Sequence, residues 1–540
     1  MPDAVQSSAT ETDFDVVVVG AGFAGMYMLY RLRGLGMSAR VYETGDGVGG
    51  TWYWNRYPGA RCDVESVQYS YQFDKDLEQE WTWSERYSPQ PEILGYANHV
   101  ADRYDLRKDI QFNTKVTSAV FNEAKGIWAV TIDDGDGSSV TARHVVMATG
   151  CLSSFNTPKF KGLDDFKGPV YHTGNWPHEG VDFTGKRVGV IGTGSSAIQS
   201  IPEIAKQAKH LTVFQRTANY TIPARNRKLE EDFVKSVKAD YPGLREKAKK
   251  MPSGYFFPFN PGSVLEVPEE EYRREYRKRW EIGGTGYLGA YGDLLVNPDS
   301  NKTAAEFVKD MIRETVKDPE VAELLCPTNI IGCKRLCVDT DYYATYNLPH
   351  VKLVDVSKTP IEAVTPAGLS HDGAEYEFDA LVLATGFDAM TGALFNIDIR
   401  GRGGESLKEK WHGGPQTYLG LTTVGFPNMF TVTGPGSPSV LTNMLPSIEQ
   451  HVNFIADCLA YMRENDHAVI EPELQAELDW GKHVNEVADL SLRSTCASWY
   501  VGANVPGKPR VFMPYIGGFP RYVQECERVV ENGYEGFALA

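Results

Sequence analysis

The chain has 540 residues, of which 42% are apolar, and this is enough for about three domains of ~150 residues each. Its 54 Lys and Arg residues face 71 Asp and Glu residues, giving a formal net charge of −17. Such an acidic surface argues against nucleic acid or an anionic membrane as the main partner. Since no apolar stretch approaches the ~20 residues of a membrane span, the sequence also argues against a membrane protein.

The N-terminus and the cysteines indicate a cytoplasmic protein. Residues 1–12 are polar, lack the features of a signal peptide, and are predicted to form a disordered tail. The eight cysteines are scattered, which predicts reduced thiols. Cys333 and Cys337 are the closest pair, but they lack redox spacing and are interpreted as packing residues. No metal site is visible among the eleven His residues.

The first predicted unit is a strand, a glycine-rich turn and a helix. An apolar run at 16–19 leads into Gly20-Ala-Gly22-Phe23-Ala-Gly25, and a helical pattern follows over 26–35. Glycines at this spacing permit a tight turn and bring backbone close to a pyrophosphate at the helix N-terminus. The next strand, 39–42, ends in Glu43, which can accept from a ribose 2′-hydroxyl. The unit therefore predicts a site for FAD.

An apolar strand ending in Ala-Thr-Gly occurs twice, at 144–150 and again at 381–386. Each is predicted to return the chain to the edge of a sheet beside a cofactor, with a glycine where backbone passes close by.

A second glycine-rich turn follows an apolar strand at 188–191 and precedes a helical pattern at 198–208. Its residues are Gly192, Thr193, Gly194, Ser195, Ser196 and Ala197. The next strand, 211–215, ends in Arg216 and Thr217 with no acid, and an Arg there accommodates a 2′-phosphate. Two ordinary glycine-rich turns would not explain the opposite charges of Glu43 and Arg216. The second unit therefore predicts an NADPH site.

We expect an α/β fold with two Rossmann-like dinucleotide-binding domains. The predicted FAD domain comprises 13–152 and 388–540, and the predicted NADPH domain comprises 153–225 and 331–387. Residues 226–330 are rich in charge and have helical periodicity, for example at 269–280 and 303–316, which predicts a helical insertion. Further helices are predicted at 448–462 and 472–490.

Three segments carry a resemblance to a known family. They are Phe166-Lys-Gly168-Pro-Val-Tyr-His172-Thr-Gly-Asn-Trp176-Pro177, Gly50-Thr51-Trp52-Tyr-Trp-Asn-Arg56-Tyr-Pro-Gly-Ala-Arg61-Cys62-Asp63, and Ala384-Thr-Gly-Phe-Asp388. Over nearly its whole length the chain resembles the class B flavoprotein monooxygenases, and within them the type I Baeyer–Villiger monooxygenases. Arg61-Cys62-Asp63 and the turn at 434–439 place it nearer the phenylacetone and steroid monooxygenase branch than the cyclohexanone branch. Trp176-Pro177 favours ketone oxidation over oxidation at nitrogen or sulfur.

The resemblance implies oxidation of ketones to esters or lactones with NADPH and O2, sulfoxidation as a side activity, and a monomer. A flavin C4a-peroxide that attacks a carbonyl must be an anion, and an anion in a dry site requires a fixed cation. Arg335 is the candidate because it stays protonated and presents a planar fork of donors. Asp63 is expected to orient it. The alternatives are a surface ion pair for Arg335 and a turn cap for Asp63.

The resemblance assigns further residues by position. Lys334 and Arg216 would clamp the 2′-phosphate, Thr217 would add a hydroxyl, and Trp499 would contact NADP from a mobile loop. Residues expected near the flavin are Phe23, Thr51, Trp52 and Tyr69, and those expected to shape the ketone pocket are Ser439, Val440 and Leu441. For His172 and Trp176 we favour a hinge role over proton transfer.

Three alternative functions remain open from the sequence. The first is a flavin N- or S-monooxygenase, which would need no anion-stabilising arginine. The second is an NADPH oxidase that reduces oxygen to hydrogen peroxide. The third is a non-catalytic redox-sensing protein that binds dinucleotides, against which the set of Asp63, Lys334 and Arg335 argues.

Overall fold

A computed structural model describes residues 11–540, so most of the predicted tail at 1–12 lies outside the described residues. Twenty strands are described: β1 (Phe14–Val19), β2 (Ala39–Tyr42), β3 (Ile110–Gln111), β4 (Lys115–Asn122), β5 (Ile127–Asp133), β6 (Ser139–Met147), β7 (Val170–His172), β8 (Arg187–Ile191), β9 (His210–Gln215), β10 (Thr221–Pro223), β11 (Cys337–Asp339), β12 (Val351–Asp355), β13 (Ala363–Thr365), β14 (Gly368–His371), β15 (Ala374–Glu377), β16 (Ala380–Leu383), β17 (Asp398–Arg400), β18 (Met429–Thr431), β19 (Ile470–Pro472) and β20 (Phe537–Leu539).

Sixteen α-helices are described over the same residues: α1 (Phe23–Gly34), α2 (Thr51–Trp54), α3 (Lys75–Glu80), α4 (Gln90–Arg103), α5 (Ser195–Ala205), α6 (Glu231–Ala239), α7 (Tyr241–Lys249), α8 (Glu269–Ile282), α9 (Pro298–Thr315), α10 (Pro319–Leu325), α11 (Tyr342–Thr345), α12 (Gly392–Phe395), α13 (Leu407–Lys410), α14 (Met444–Glu464), α15 (Leu474–Asp489) and α16 (Phe519–Glu531). The helices predicted at 269–280, 448–462 and 472–490 correspond to α8, α14 and α15. None of the helices in 11–540 is long and apolar enough to cross a membrane.

Two sheets organise the molecule. The larger has the order β17-β4-β5-β6-β1-β2-β3, with β18 also paired to β6. The smaller has the order β12-β9-β8-β16-β7, and all its pairings are parallel. Each sheet carries one glycine-rich turn, after β1 in the larger and after β8 in the smaller. The expected α/β fold with two Rossmann-like units is confirmed.

The predicted edge position of the two Ala-Thr-Gly strands is wrong. Strand β6 lies inside the larger sheet and pairs with β1, β5 and β18, while β16 pairs with both β8 and β7. The apolar residues of these strands explain the difference. A parallel strand covered on both faces reads as a continuous apolar run, whereas an edge strand is typically interrupted by polar residues.

The five helices α6–α10 lie between β10 and β11 and divide between two neighbours. Helices α8 and α9 share an aromatic core with the smaller sheet, in which Tyr276 and Phe307 have ring centroids 5.6 Å apart. Helix α7 instead packs on the side of the molecule that the larger sheet forms. Arg245 on α7 pairs with Glu78 at 2.9 Å, and both side chains are 5% exposed.

The cysteines depart from the prediction of reduced thiols at two positions, Cys333 and Cys496. Cys333 and Cys496 form a disulfide across a sequence separation of 163 residues, so the prediction that Cys333 is a reduced packing residue is wrong. The other six cysteines are free and buried. Spacing along the chain gave no sign of the pair, because the two cysteines come together only through the tertiary fold. Within 11–540 no cluster of potential metal ligands is found.

Glu449 on α14 gives a prediction about stability. Burial raises the pKa of this carboxyl to about 7, and the hydrogen bond from Gln72 N at 2.6 Å opposes the shift. Ionisation therefore costs stability as the pH rises from 4.5 to 7, up to about 3 kcal/mol. Glu449→Gln keeps the acceptor oxygen but cannot ionise. We expect urea unfolding to show a more stable variant at pH 8 and no gain at pH 4.5. An equal difference at both pH values would contradict this.

Candidate active site

The first glycine-rich turn is packed so closely that side chains are excluded. Gly20 has φ +101°, and a Cβ there would lie 2.7 Å from Ala148 O. A Cβ on Gly25 would lie 1.9 Å from Gly20 O, so this position requires the third glycine. Gly22 caps the N-terminus of α1 without a side chain. The strand, turn and helix therefore present a bare helix N-terminus, which suits a pyrophosphate.

Glu43 lies at the end of β2, beside this turn. Its Oε2 accepts a hydrogen bond from Ala21 N at 2.7 Å and its Oε1 accepts one from Gly45 N at 2.8 Å. Burial raises the pKa of Glu43, while these backbone donors oppose the shift. Each carboxylate oxygen keeps acceptor capacity for a ribose hydroxyl.

The residues predicted near the flavin meet at the start of α1 and α2. A Cβ on Gly50 would lie 2.9 Å from Gly22 Cα, so the two segments touch. Trp52 Nε1 donates to the Tyr69 hydroxyl at 3.0 Å, and the Phe23 and Tyr69 ring centroids are 6.3 Å apart. Thr51 begins α2 and is exposed. These residues fit a dinucleotide that crosses the helix N-terminus.

The second turn has the same geometry as the first, but there is more free space around its last glycine, Gly194. Gly192 has φ +110°, and its Cβ would lie 2.5 Å from Ala384 O. A Cβ on Gly194, the N-cap of α5, would meet nothing within 4 Å. Ser195 and Ser196 begin the helix, and Thr193 Oγ1 donates to Thr217 O at 2.8 Å. The open space before α5 leaves room for phosphate groups.

Two cations lie together at this second site. Burial lowers the pKa of Lys334, and the positive charge of Arg216 lowers it further, so the two charges lie near enough to repel each other. Arg216 and Thr217 are exposed, and the ion pairs found within 11–540 include neither Arg216 nor Lys334. Two like charges held close without a carboxylate are typical of an anion site. The pair therefore fits a 2′-phosphate.

Arg335 and Asp63 form a two-point ion pair. Arg335 Nε donates to Asp63 Oδ2 and Nη2 donates to Oδ1, both at 2.7 Å. A third donor, Nη1, reaches Val440 O at 2.8 Å. Burial lowers the pKa of Arg335, but the charge of Asp63, its hydrogen bonds and the nearby Tyr500 and Tyr255 together outweigh this effect, so the pKa is raised overall. The Arg335 side chain is 34% exposed and the Asp63 side chain 16% exposed, but the third bond to Val440 O and the separation of 272 residues disfavour a simple surface ion pair.

An apolar cluster adjoins Arg335 through Val440, whose carbonyl accepts from the guanidinium. Ser439, Val440 and Leu441 form one turn of 3-10 helix, and Val440 packs in a cluster with Met390, Tyr500 and Met513. Trp499 borders the same cluster, and its ring centroid is 4.3 Å from that of Tyr500. The residues predicted for the ketone pocket and for the NADP-contacting loop are thus brought together beside the guanidinium.

The Phe166–Trp176 segment lies elsewhere. His172 ends β7, and its Nε2 is 3.1 Å from Thr385 Oγ1, while its Nδ1 accepts from Gly174 N at 3.0 Å. Burial lowers the pKa of His172, which favours the neutral ring. Phe166 and Trp176 are buried in the cores of the smaller sheet, and a Cβ on Gly168 would lie 2.7 Å from Asp379 O. These contacts pack the segment against the smaller sheet, and the hinge role stays a prediction.

The sequence analysis missed three features of the site. They are the Val440 carbonyl that accepts from Arg335, the buried ring of Tyr500, and the ion pair between Lys508 Nζ and Asp388 Oδ1 at 2.5 Å. Only Asp388 carried a signal, since it closes the Ala384–Asp388 motif. The other two depend on how distant loops fold back.

Comparison with known proteins places this geometry among flavoenzymes. A family model of flavin-binding monooxygenase-like proteins matches residues 14–233. The chain is 43% identical to a phenazine N-monooxygenase of Lysobacter antibioticus and 43% identical to a Baeyer-Villiger monooxygenase of Pseudooceanicola batsensis, in each case over 98% of this chain and 97% of the relative. The solved structure of an oxidised steroid monooxygenase bound to NADP aligns with a TM-score of 0.93 and 52% identity, covering 97% of this chain and 99% of that one.

Proposed function

Because this chain belongs to the type I Baeyer–Villiger monooxygenases, a group of flavin-binding monooxygenases that uses FAD and NADPH, we propose that it converts ketones to esters or lactones with O2 as co-substrate. The single observation that carries the proposal is the two-point contact of Arg335 with Asp63 beside the apolar cluster that contains Val440 and Tyr500. The two nucleotide turns supply the flanking cofactor sites.

When bound, reduced FAD would supply the activated oxygen for this chemistry. The chain's own residues do the rest. Arg335 holds a fixed positive charge where negative charge develops on oxygen, and in a dry site such a charge acts more strongly than in water. Asp63 and the Val440 carbonyl fix the guanidinium plane. The rings of Trp499 and Tyr500 pack beside Val440 and help to exclude water from the site.

At the other end of the site, Arg216, Lys334 and the open N-terminus of α5 would hold NADPH, with Thr217 as a further donor. The proposal rests on the unpaired cations and on the space before α5. For the 166–177 segment we propose a hinge between the part of the chain that binds FAD and the part that binds NADPH. We assign these to 13–152 with 388–540 and to 153–225 with 331–387, and we treat 226–330 as the inserted helical segment.

A second candidate function is oxygenation at nitrogen or sulfur. The 43% identity with a phenazine N-monooxygenase favours it, because that relative aligns over almost the entire chain. Oxidation of an amine or a sulfide uses an electrophilic oxygen and needs no anion-stabilising cation. Sulfoxidation as a side activity is compatible with both candidate functions.

Product analysis distinguishes the two candidates. The FAD-loaded protein would receive NADPH with phenylacetone, a cyclic ketone, a methyl aryl sulfide and a phenazine, each in a separate reaction. We expect esters or lactones from ketones at rates that exceed N-oxide formation. N-oxide formation without any ester would reject ketone oxidation, and NADPH consumption that yields only hydrogen peroxide from every substrate would indicate an oxidase.

The proposal extends to a monomer in the cytoplasm. The six free buried cysteines support this location, since proteins of oxidising compartments usually pair their cysteines. Sedimentation velocity of the FAD-loaded protein should give one species near the chain mass of 60.0 kDa.

A further inference from the structure

The disulfide between Cys333 and Cys496 joins two parts of the candidate active site. Cys333 is fully buried and directly precedes Lys334 and Arg335. Cys496 is half-buried and lies three residues before Trp499. One bond therefore connects the segment that carries the two site cations, Lys334 and Arg335, with the loop that carries the aromatic residues Trp499 and Tyr500.

We propose that this disulfide is a reversible thiol–disulfide switch, and that its reduction releases the loop at 494–503 from the NADPH site. The inference rests on the proposed function, because it assumes that NADP lies beside Lys334. It differs from the proposed function in assigning a regulatory chemistry to two cysteines that take no part in oxygen transfer.

Few hydrogen bonds to distant residues hold this loop. Among the described residues, the hydrogen bonds found for 494–503 are local turns, apart from the bond from Met513 N to Tyr500 O at 2.9 Å. The side-chain hydrogen bonds that tie this part of the chain to distant residues lie just outside the loop. Before it, Arg493 Nε donates to Gly332 O at 3.1 Å, and after it, Asn504 Nδ2 donates to Phe387 O at 2.7 Å. The disulfide is the covalent restraint in a segment that is otherwise held by one long-range backbone hydrogen bond and by the packing of Trp499, Tyr500 and Val501 in an apolar cluster.

The pattern of the cysteines favours regulation over plain structural support. Six cysteines are buried and free, as expected of a chain that folds in a reducing compartment. Disulfides in such proteins are usually transient, catalytic or redox-sensing. The anchors at Arg493, Asn504 and Lys508 remain after reduction, so the surrounding fold does not depend on the bond.

The difference in exposure between Cys333 and Cys496 determines which sulfur atom an external thiolate attacks first. An external thiolate attacks the Sγ of Cys496, which is the more accessible residue, and the S–S bond breaks. Its electron pair passes to the Sγ of Cys333, which takes up a proton. A second external thiol then resolves the mixed disulfide. In total, one protein disulfide and two thiols, or one dithiol, give two protein thiols and one external disulfide.

Release of the loop would move Trp499 and Tyr500 away from Val440 and open the NADP site to solvent. We expect reduction to weaken NADP+ binding about five- to tenfold, the usual size of coupling between two sites. Since bound NADP shields the oxygen chemistry, the fraction of NADPH that is spent on hydrogen peroxide should rise in parallel.

The test uses the FAD-loaded full chain. Thiol titration after denaturation should give six thiols in protein purified without reductant and eight after treatment of the folded protein with a dithiol. Isothermal titration with NADP+ should then show weaker binding for the reduced protein and for Cys496→Ser, whose affinity no longer responds to dithiol. Cys326→Ser, at a free buried cysteine, is the matched control and should respond as wild type does.

Three results would overturn the switch. They are eight thiols before reduction, a disulfide that resists dithiol until the protein unfolds, or equal NADP+ affinity in the oxidised and reduced proteins. Circular dichroism and the FAD content of Cys496→Ser check that the variant is folded. Because the readout is NADP+ binding, an altered affinity in a protein that makes no ester would reject the proposed function and still support the switch.

Discussion

Replacing Arg335 with Ala should lower ester formation by about 10³-fold while flavin reduction by NADPH stays within a few-fold of wild type. Loss of a single donor to a developing oxyanion already costs about 10²–10³-fold in rate. Arg335 supplies a full charge and is held at three points by Asp63 and Val440. Gas chromatography of the ester and stopped-flow absorbance of the flavin measure the two steps separately.

Arg335→Lys is the matched control for this prediction. Lysine keeps the charge but lacks the planar fork that contacts both Asp63 oxygens, so we expect intermediate ester formation. Sulfoxidation should be less affected than ester formation in both variants. Unchanged ester yield in Arg335→Ala would remove Arg335 from the oxygen-transfer step.

Arg216→Ala should reduce the preference for NADPH over NADH by about 10- to 100-fold, and Arg216→Ala with Lys334→Ala should nearly abolish it. A hydrogen bond to a charged group contributes about 1.5–3 kcal/mol, which corresponds to this range. The effect should fall on kcat/KM for NADPH, with NADH nearly unchanged, since NADH lacks the 2′-phosphate. Arg227→Ala, at another exposed arginine nearby, should leave the preference intact.

This prediction would be contradicted by an equal loss of kcat/KM with NADPH and with NADH. If Arg216→Ala weakened NADH and NADPH equally, the side chain would support the fold of the turn rather than the phosphate. An unaltered preference would take Arg216 out of the 2′-phosphate site.

The sequence predicted most reliably what depends on neighbours in the chain. The spacing of Gly20, Gly25 and Gly192 alone indicated both nucleotide turns, although the backbone contacts that confine Gly20 and Gly192 come from the distant residues Ala148 and Ala384. Glu43 and Arg216 follow directly from strand ends. The family resemblance pointed to Arg335 and Asp63, which the fold brings together although 272 residues separate them.

Features that depend on long-range folding could not be predicted from the sequence. The Val440 carbonyl carries no side-chain signature, since any residue offers the same oxygen. Cys496 sits in a loop whose position is set by the fold, so its pairing with Cys333 could not be inferred from spacing. The interior position of β6 was missed because an apolar run does not report which strands flank it.

The most direct test of the central claim is the fate of molecular oxygen. The FAD-loaded protein would oxidise phenylacetone with NADPH under isotopically labelled O2, and mass spectrometry would follow the product. The account predicts an ester that carries one labelled oxygen, formed by wild type and lost in Arg335→Ala. An unlabelled ester, or labelled hydrogen peroxide as the sole oxygen product with this ketone and with cyclic ketones, would contradict it.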